Sequence, residues 1–258
     1  MKIGFLDSGI GGLSVLLNAK KSIPGADFLY YADSDNAPYG EKNESEVCEY
    51  VFRAVDFLVK KGADAIVIAC NTATSVAVAK LRARYDVPII GMEPAVKRAL
   101  DSFSGGRILV TGTPITLNGD KLKLLIGELD KSHVVDLLPL PGLVKFAEKY
   151  RFEGDDVTAY IKGALDRFRL EDYSFLVLGC THFNYFKDTM RRVLPESIRF
   201  VDGNEGTVRQ LIRRIGTVEC KKSSETRFFV SGREIEDEEE LRRIDSLMSR
   251  LEFMYEIN

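Results

Sequence analysis

Two stretches, Ala63 to Cys70 (ADAIVIAC) and Tyr173 to Cys180 (YSFLVLGC), decide how this chain is read. Each is a short apolar run that ends in a cysteine and passes into small polar residues, Asn71-Thr72 after the first and Thr181-His182 after the second. A run of this length, rich in Ile, Val, Leu and Phe, reads as a strand buried on both faces of a parallel sheet. In such folds ligands gather at the carboxyl ends of the strands, so each cysteine stands where a sheet delivers chemistry. A single cysteine there would be read as a small buried hydrophobe. Two in matched settings point instead to two thiols facing one substrate. Cys48 and Cys220 have no such setting and keep the plain reading.

Outward from these runs the same alternation covers the whole chain. Strands are expected at Lys2 to Asp7, Asp27 to Asp33, Asp64 to Cys70, Val87 to Met92, Arg107 to Thr111, Val134 to Pro139, Phe175 to Cys180, Arg199 to Asp202 and Arg227 to Ser231. Amphipathic helical stretches such as Glu44 to Lys61 and Glu205 to Ile215 fill the intervals. This is the pattern of an α/β protein with mainly parallel sheets flanked by helices. Ser102 to Gly106 (SFSGG) reads as a crossing between two lobes, and Asp202-Gly203-Asn204 as the return. The division expected is 1–95 with 204–258 as one lobe, carrying Asp7, Tyr39 and Cys70, and 96–203 as the other, carrying Thr113, Glu148 and Cys180. One strand-cysteine-polar element then falls in each lobe, so the architecture is pseudo-symmetric with the site in the cleft between them. The acidic run Glu234 to Glu240 reads as a solvated helix start, where negative charge favours the macrodipole.

Composition narrows the function classes. A net charge of -3, with basic pairs scattered along helical stretches, gives no electrostatic footprint for nucleic acid. No apolar stretch reaches the roughly 20 residues a membrane helix needs, and Asp7 interrupts the first apolar run where a signal peptide would need continuity. The expectation is a cytoplasmic protein without a membrane segment. Four cysteines without a CxxC spacing, and only two histidines, give neither a disulfide framework nor a zinc set. No metal is expected.

The first strand ends in Asp7-Ser8-Gly9-Ile10-Gly11-Gly12-Leu13-Ser14. Glycines between a strand and a helix suit an anion, and Asp33 at the end of the next strand suits a ribose, so a dinucleotide site is the competing reading. Against it, the third glycine position is Ser14, and Asp7 would set its charge against the phosphates. Asp7-Ser8 suits an amino acid better: the carboxylate accepts from an ammonium or a thiol, while the hydroxyl and glycine amides donate to a carboxylate. Pro38-Tyr39-Gly40 offers a rigid loop with a phenol and a close backbone approach. Thr113 and Thr116 add two hydroxyls at a helix start, and His182 lies two residues beyond Cys180.

Taken together, DSGIGGLSV at Asp7 to Val15, PYG at Pro38 to Gly40, ACNTAT at Ala69 to Thr74, GTPIT at Gly112 to Thr116 and LGCTHF at Leu178 to Phe183 resemble the glutamate racemases of the cofactor-independent amino-acid racemase family. The segments run in family order over nearly the whole length. The resemblance implies Cys70 and Cys180 as paired acid/base thiols, with Asp7 and His182 assisting and Glu148 as a further acid. It implies substrate contacts from Asp7, Ser8, Tyr39, Gly40, Asn71, Thr72, Thr113, Thr116, Thr181 and His182. It further implies a homodimer that interconverts L- and D-glutamate without a cofactor and supplies D-glutamate for peptidoglycan. The chain departs from the family pattern at Asp35, Asn36, Leu140, Lys145 and Asn184. A racemase of aspartate or another acidic amino acid is the nearest alternative, and a regulatory descendant of the fold would be expected to lose one thiol.

The chemistry explains why two thiols are needed. Inversion at Cα takes a proton from one face and returns one to the other, which suits one thiolate and one thiol on opposite sides. Lowering a thiol from pKa ~8.5 to about 7 would raise the ionised fraction only about tenfold, worth about 1.4 kcal/mol. Most of the barrier reduction must therefore come from stabilising the carbanion.

Overall fold

The computed structural model describes residues 1–103, 105–216 and 224–257. Strands β1 (Lys2–Asp7), β2 (Asp27–Ala32), β3 (Ala65–Ile68), β4 (Ile89–Gly91), β9 (Thr226–Val230) and β10 (Arg233–Glu234) form one sheet in the order β10-β9-β2-β1-β3-β4. Strands β5 (Arg107–Gly112), β6 (Val135–Pro139), β7 (Tyr173–Gly179) and β8 (Arg199–Asp202) form the other in the order β6-β5-β7-β8. All pairings are parallel except β9 with β10. The first four strands of each sheet are thus laid down in the same order, second-first-third-fourth, and this repetition is the pseudo-symmetry expected from the two cysteine runs.

Helices α1 (Leu13–Ser22), α2 (Glu44–Lys60), α3 (Asn71–Arg84), α4 (Val96–Asp101), α5 (Pro114–Asn118), α6 (Asp120–Leu129), α7 (Pro141–Glu148), α8 (Asp155–Leu165), α9 (Lys187–Arg191), α10 (Asn204–Ile215) and α11 (Glu238–Tyr255) cover the sheets. They bury both faces of the central strands, which is why β1, β3 and β7 are nearly continuous apolar runs. The largest core cluster joins residues of both lobes, with Phe5 and Tyr30 from one sheet, Leu178 from the other, and Phe183 and Tyr185 from the segment that follows β7. The lobes therefore share apolar packing beside the cleft.

Parallel pairing brings the functional ends to common edges. Asp7 pairs with Ala32, and Leu6 with Ile68, so Asp7, Asp33 and Cys70 leave the first sheet at its carboxyl edge. Gly112 pairs with both Pro139 and Gly179, so Thr113, Leu140 and Cys180 leave the second sheet together.

Two expectations are corrected. Glu234 belongs to the short strand β10, where it binds Arg227, and the terminal helix starts only at Glu238 with Asp237 as its cap. The chain after Cys180 is a 3-10 helix, Thr181–Phe186, before α9. Three residues per turn stack Phe183 over Phe186, and both are fully buried. Cys220 lies outside the described residues.

Candidate active site

The glycine-rich turn after β1 is the floor on which the two lobes meet. Asp7 is fully buried; its Oδ1 accepts from the Gly9 amide at 3.0 Å and its Oδ2 from the Thr181 hydroxyl of the other lobe at 3.0 Å. The Ile10 amide donates to Glu148 Oε1 at 3.0 Å, and the Tyr185 hydroxyl donates to the Ile10 carbonyl at 3.1 Å. Both polar groups of Ile10 are thus held by the second lobe. Glycine is required here by space: a Cβ on Gly11 would lie 2.4 Å from Thr181 Oγ1 and 2.7 Å from the His182 amide nitrogen, and one on Gly9 would overlap Glu148.

Cys70 is the N-cap of α3, and its sulfur accepts from the Ala73 amide at 3.4 Å. Its thiol also reaches the Ser8 hydroxyl at 3.8 Å. Burial, followed by the neighbouring Asp7 carboxylate, pushes this thiol up to about 12. The helix terminus and Ser8 work in the opposite direction but are outweighed. Cys70 in this form is a protonated thiol, contrary to what a helix start alone would give.

Cys180 sits at the matching position after β7, with its sulfur 3.7 Å from His182 Nδ1. His182 Nε2 lies 2.6 Å from Glu148 Oε1. Burial disfavours the imidazolium, yet the hydrogen bonds to Cys180 and Glu148 and their charges overcome it, so His182 titrates well above its ordinary value. Asp7 shows the complementary effect. Burial raises it to about 6, although the nearby His182 and the Gly9 amide favour the carboxylate. Asp7 can therefore exchange a proton near neutral pH.

A hydroxyl cluster closes another side of the cleft. Thr72, from α3, lies 2.9 Å from Thr113 and 3.4 Å from Thr116 across the lobes, while Thr113 caps α5 by accepting from the Thr116 amide at 3.3 Å. Asn71, Thr72, Thr113, Thr116 and Thr181 are all buried. Gly40 approaches this cluster so closely that a Cβ there would fall 2.9 Å from Thr113. The Tyr39 phenol points elsewhere: it donates to Asp33 Oδ2 at 2.5 Å, and Asn36 donates to the same carboxylate at 3.0 and 3.1 Å. Asp33, which the dinucleotide reading gave to a ribose, is thus occupied in fixing the PYG loop.

Cross-lobe contacts thus join Asp7 to Thr181 and Thr72 to Thr113 and Thr116, while Tyr39 turns its phenol to Asp33, and Cys70 and Cys180 are 6% and 7% exposed. Two further members were missed, Tyr30, whose hydroxyl donates to the Gly9 carbonyl at 2.7 Å, and Tyr185. Both lie in aromatic-rich runs whose ordinary reading is core, and only their pairing with the glycine turn distinguishes them. Among the described residues no cluster of His, Cys, Asp and Glu has the make-up of a metal site, and no helix is long and apolar enough to cross a membrane.

Residues 17–211 match the family described as Asp/Glu/Hydantoin racemase. The chain is 50% identical over 265 residues to a glutamate racemase of Campylobacter curvus, with both sequences covered completely. Among solved structures it is similar to glutamate racemase isoform RacE1 from Bacillus anthracis, with a TM-score of 0.80 and 31% identity, covering 88% of this chain and 87% of that one. It is also similar to the Escherichia coli glutamate racemase in complex with L-glutamate and the activator UDP-MurNAc-ala, with a TM-score of 0.77 and 30% identity, covering 86% and 84%.

Proposed function

From the premise that the chain belongs to the Asp/Glu/Hydantoin racemase family, we propose that it interconverts L- and D-glutamate by moving the α-proton between two cysteines, without a cofactor. One observation carries this reading. Two buried thiols end equivalent strands of two like-ordered sheets, each with its own assistants: Cys70 with Ser8 and Asp7, Cys180 with His182 and Glu148. Glutamate is favoured by its naming in the full-length relative and by the L-glutamate bound to the Escherichia coli structure.

In the forward direction a thiolate removes the α-proton, the electron pair passes into the substrate carboxylate, and the opposite thiol returns a proton to the other face of Cα. The substrate leaves with inverted configuration and the two sulfurs have exchanged protonation states. Reverse reaction resets them. Asn71, Thr72 and the backbone amide of Thr181 donate to the carboxylate as it gains charge, among buried residues where such bonds count for more. Thr113 and Thr116 hold Thr72, and the Gly40 backbone and Ser8 bind the substrate's other end. Asp7 and His182 adjust the proton on their sulfurs, and Glu148 holds His182 in its orientation.

We assign Cys180 with His182 to the L-enantiomer and Cys70 with Asp7 to the D-enantiomer. The lobes are 1–95 with 204–258, and 96–203. The active protein is a cytoplasmic homodimer supplying D-glutamate for peptidoglycan. Proton NMR of each enantiomer of glutamate and of aspartate in deuterated water tests the reaction and ranks the substrates. Loss of the α-proton signal fastest from glutamate is expected. Retention of that signal in every amino acid would overturn the reading, and faster loss from aspartate would reassign the substrate.

A further inference from the structure

Arg250 lies on α11, far in sequence from the residues it touches. Its Nε donates to the Tyr185 carbonyl at 3.1 Å, and its Nη2 donates to both oxygens of Asp188 at 2.9 and 2.8 Å. Its Nη1 lies 3.4 Å from Glu153, and its guanidinium covers the Phe152 ring at 4.9 Å. Phe152 in turn stacks on Tyr185 at 4.8 Å between ring centres, and its carbonyl accepts from the Thr189 hydroxyl at 3.0 Å. The side chain is only 18% exposed, as is appropriate to a guanidinium using every face at once.

These contacts join two separate segments. One begins at Cys180 and carries Thr181, His182 and Tyr185; the other leaves α7 just after Glu148 and carries Phe152 and Glu153. His182 and Glu148, which meet at 2.6 Å in the site, are therefore fixed on backbones that Arg250 clamps together a few residues further along. Tyr185 extends the clamp, since its hydroxyl holds the Ile10 carbonyl while the Ile10 amide donates to Glu148.

We propose that Arg250 is a positioning residue for the Cys180 half of the site, setting the His182–Glu148 hydrogen bond from outside the cleft. The proposal rests on the two-thiol reading above. A lysine at this position keeps the charge and much of the apolar stem, but a compact ammonium cannot bond the Tyr185 carbonyl and both Asp188 oxygens while covering Phe152. Displacement of His182 by even about 1 Å would slow proton transfer on its own side by tenfold or more. The Cys70 side, supported by Ser8 and Asp7, would be left intact.

Racemisation cannot report this asymmetry. L- and D-glutamate have equal free energy, so kcat/KM must fall equally in both directions. Elimination from a glutamate analogue with a β-leaving group is irreversible and reports each face alone. The experiment measures that elimination from both enantiomers of the analogue with Arg250→Lys and Asp188→Asn, using Cys180→Ser and Cys70→Ser as references. Expected is a loss of about tenfold or more for the enantiomer that Cys180→Ser no longer processes, and less than about twofold for the other. The His182 imidazole signal should titrate lower in both variants. Equal loss on both enantiomers with an unmoved His182 titration would overturn the proposal and leave Arg250 as a fold-stabilising contact only. If Arg250→Lys fails to fold, Asp188→Asn, which keeps the arginine, carries the same comparison. Failure of the cysteine references themselves to separate the enantiomers would refute the two-thiol reading instead.

Discussion

Replacing Asp7 by asparagine should make the protein more stable at neutral pH while removing its activity. Asp7 is fully buried and its carboxyl is raised from 3.8 to about 6, chiefly by burial. A group raised in the folded state contributes stability that is complete below its unfolded pKa and is lost as pH rises through the folded value. For Asp7 that loss runs from about pH 4 to about pH 6. With about 1.4 kcal/mol per unit, the wild-type protein has lost about 3 kcal/mol by pH 7 and only about 1 kcal/mol at pH 4.5. Asparagine carries no charge to desolvate. Its oxygen can still accept from the Gly9 amide, and its amide can donate to the Thr181 hydroxyl, so both hydrogen bonds of the carboxylate have a replacement. For a chain of this size 1 kcal/mol corresponds to about 2 °C in Tm, which gives a gain of about 6 °C at pH 7 that shrinks to about 2 °C at pH 4.5. Differential scanning calorimetry of both proteins at the two pH values measures it. A gain independent of pH, or a net loss of stability at pH 7, would refute the assignment of the Asp7 environment.

Gly11→Ala should reduce racemisation by about a hundredfold or more, because its Cβ would meet the Thr181 hydroxyl at 2.4 Å, the His182 ring at 2.6 Å and the His182 amide nitrogen at 2.7 Å, and the last of these is backbone that cannot swing aside; unaltered kcat would show that the lobes tolerate separation there. An alkylating agent at pH 7 should label Cys48, which is half-buried, before Cys70, whose thiol is raised to about 12, and activity should outlast Cys48 modification when peptides are followed by mass spectrometry. With only two histidines in the chain, NMR can follow His182 directly. Its titration should lie above the ordinary 6.5 and move down in Glu148→Gln, since Glu148 is one of the two partners that favour the cation.

The strand ends were legible because both periodicity and chemistry marked them: Cys70 and Cys180 terminate apolar runs that can only be buried strands, and the glycines after Asp7 signal a close approach. The partners that complete the site were harder to read. Tyr30 and Tyr185 look like core residues in sequence and are core residues in fact, differing only in where their hydroxyls end. Tyr39 was expected among the substrate contacts, and the sequence did not show that its phenol donates to Asp33. The 3-10 course after Cys180 followed from the packing of Phe183, Tyr185 and Phe186, a tertiary demand that no local propensity expresses. The rise of the Cys70 thiol has the same origin. A helix start lowers a thiol locally, while burial beside Asp7 is a property of the assembled site.

The two-thiol account is tested most directly by the cysteine variants themselves. With a glutamate analogue whose β-leaving group departs once the α-proton is removed, Cys70→Ser should still eliminate from the L-analogue and Cys180→Ser from the D-analogue, while neither racemises glutamate. An exchanged pattern would keep the mechanism and swap the two faces. The same enantiomer preference in both variants would contradict the account.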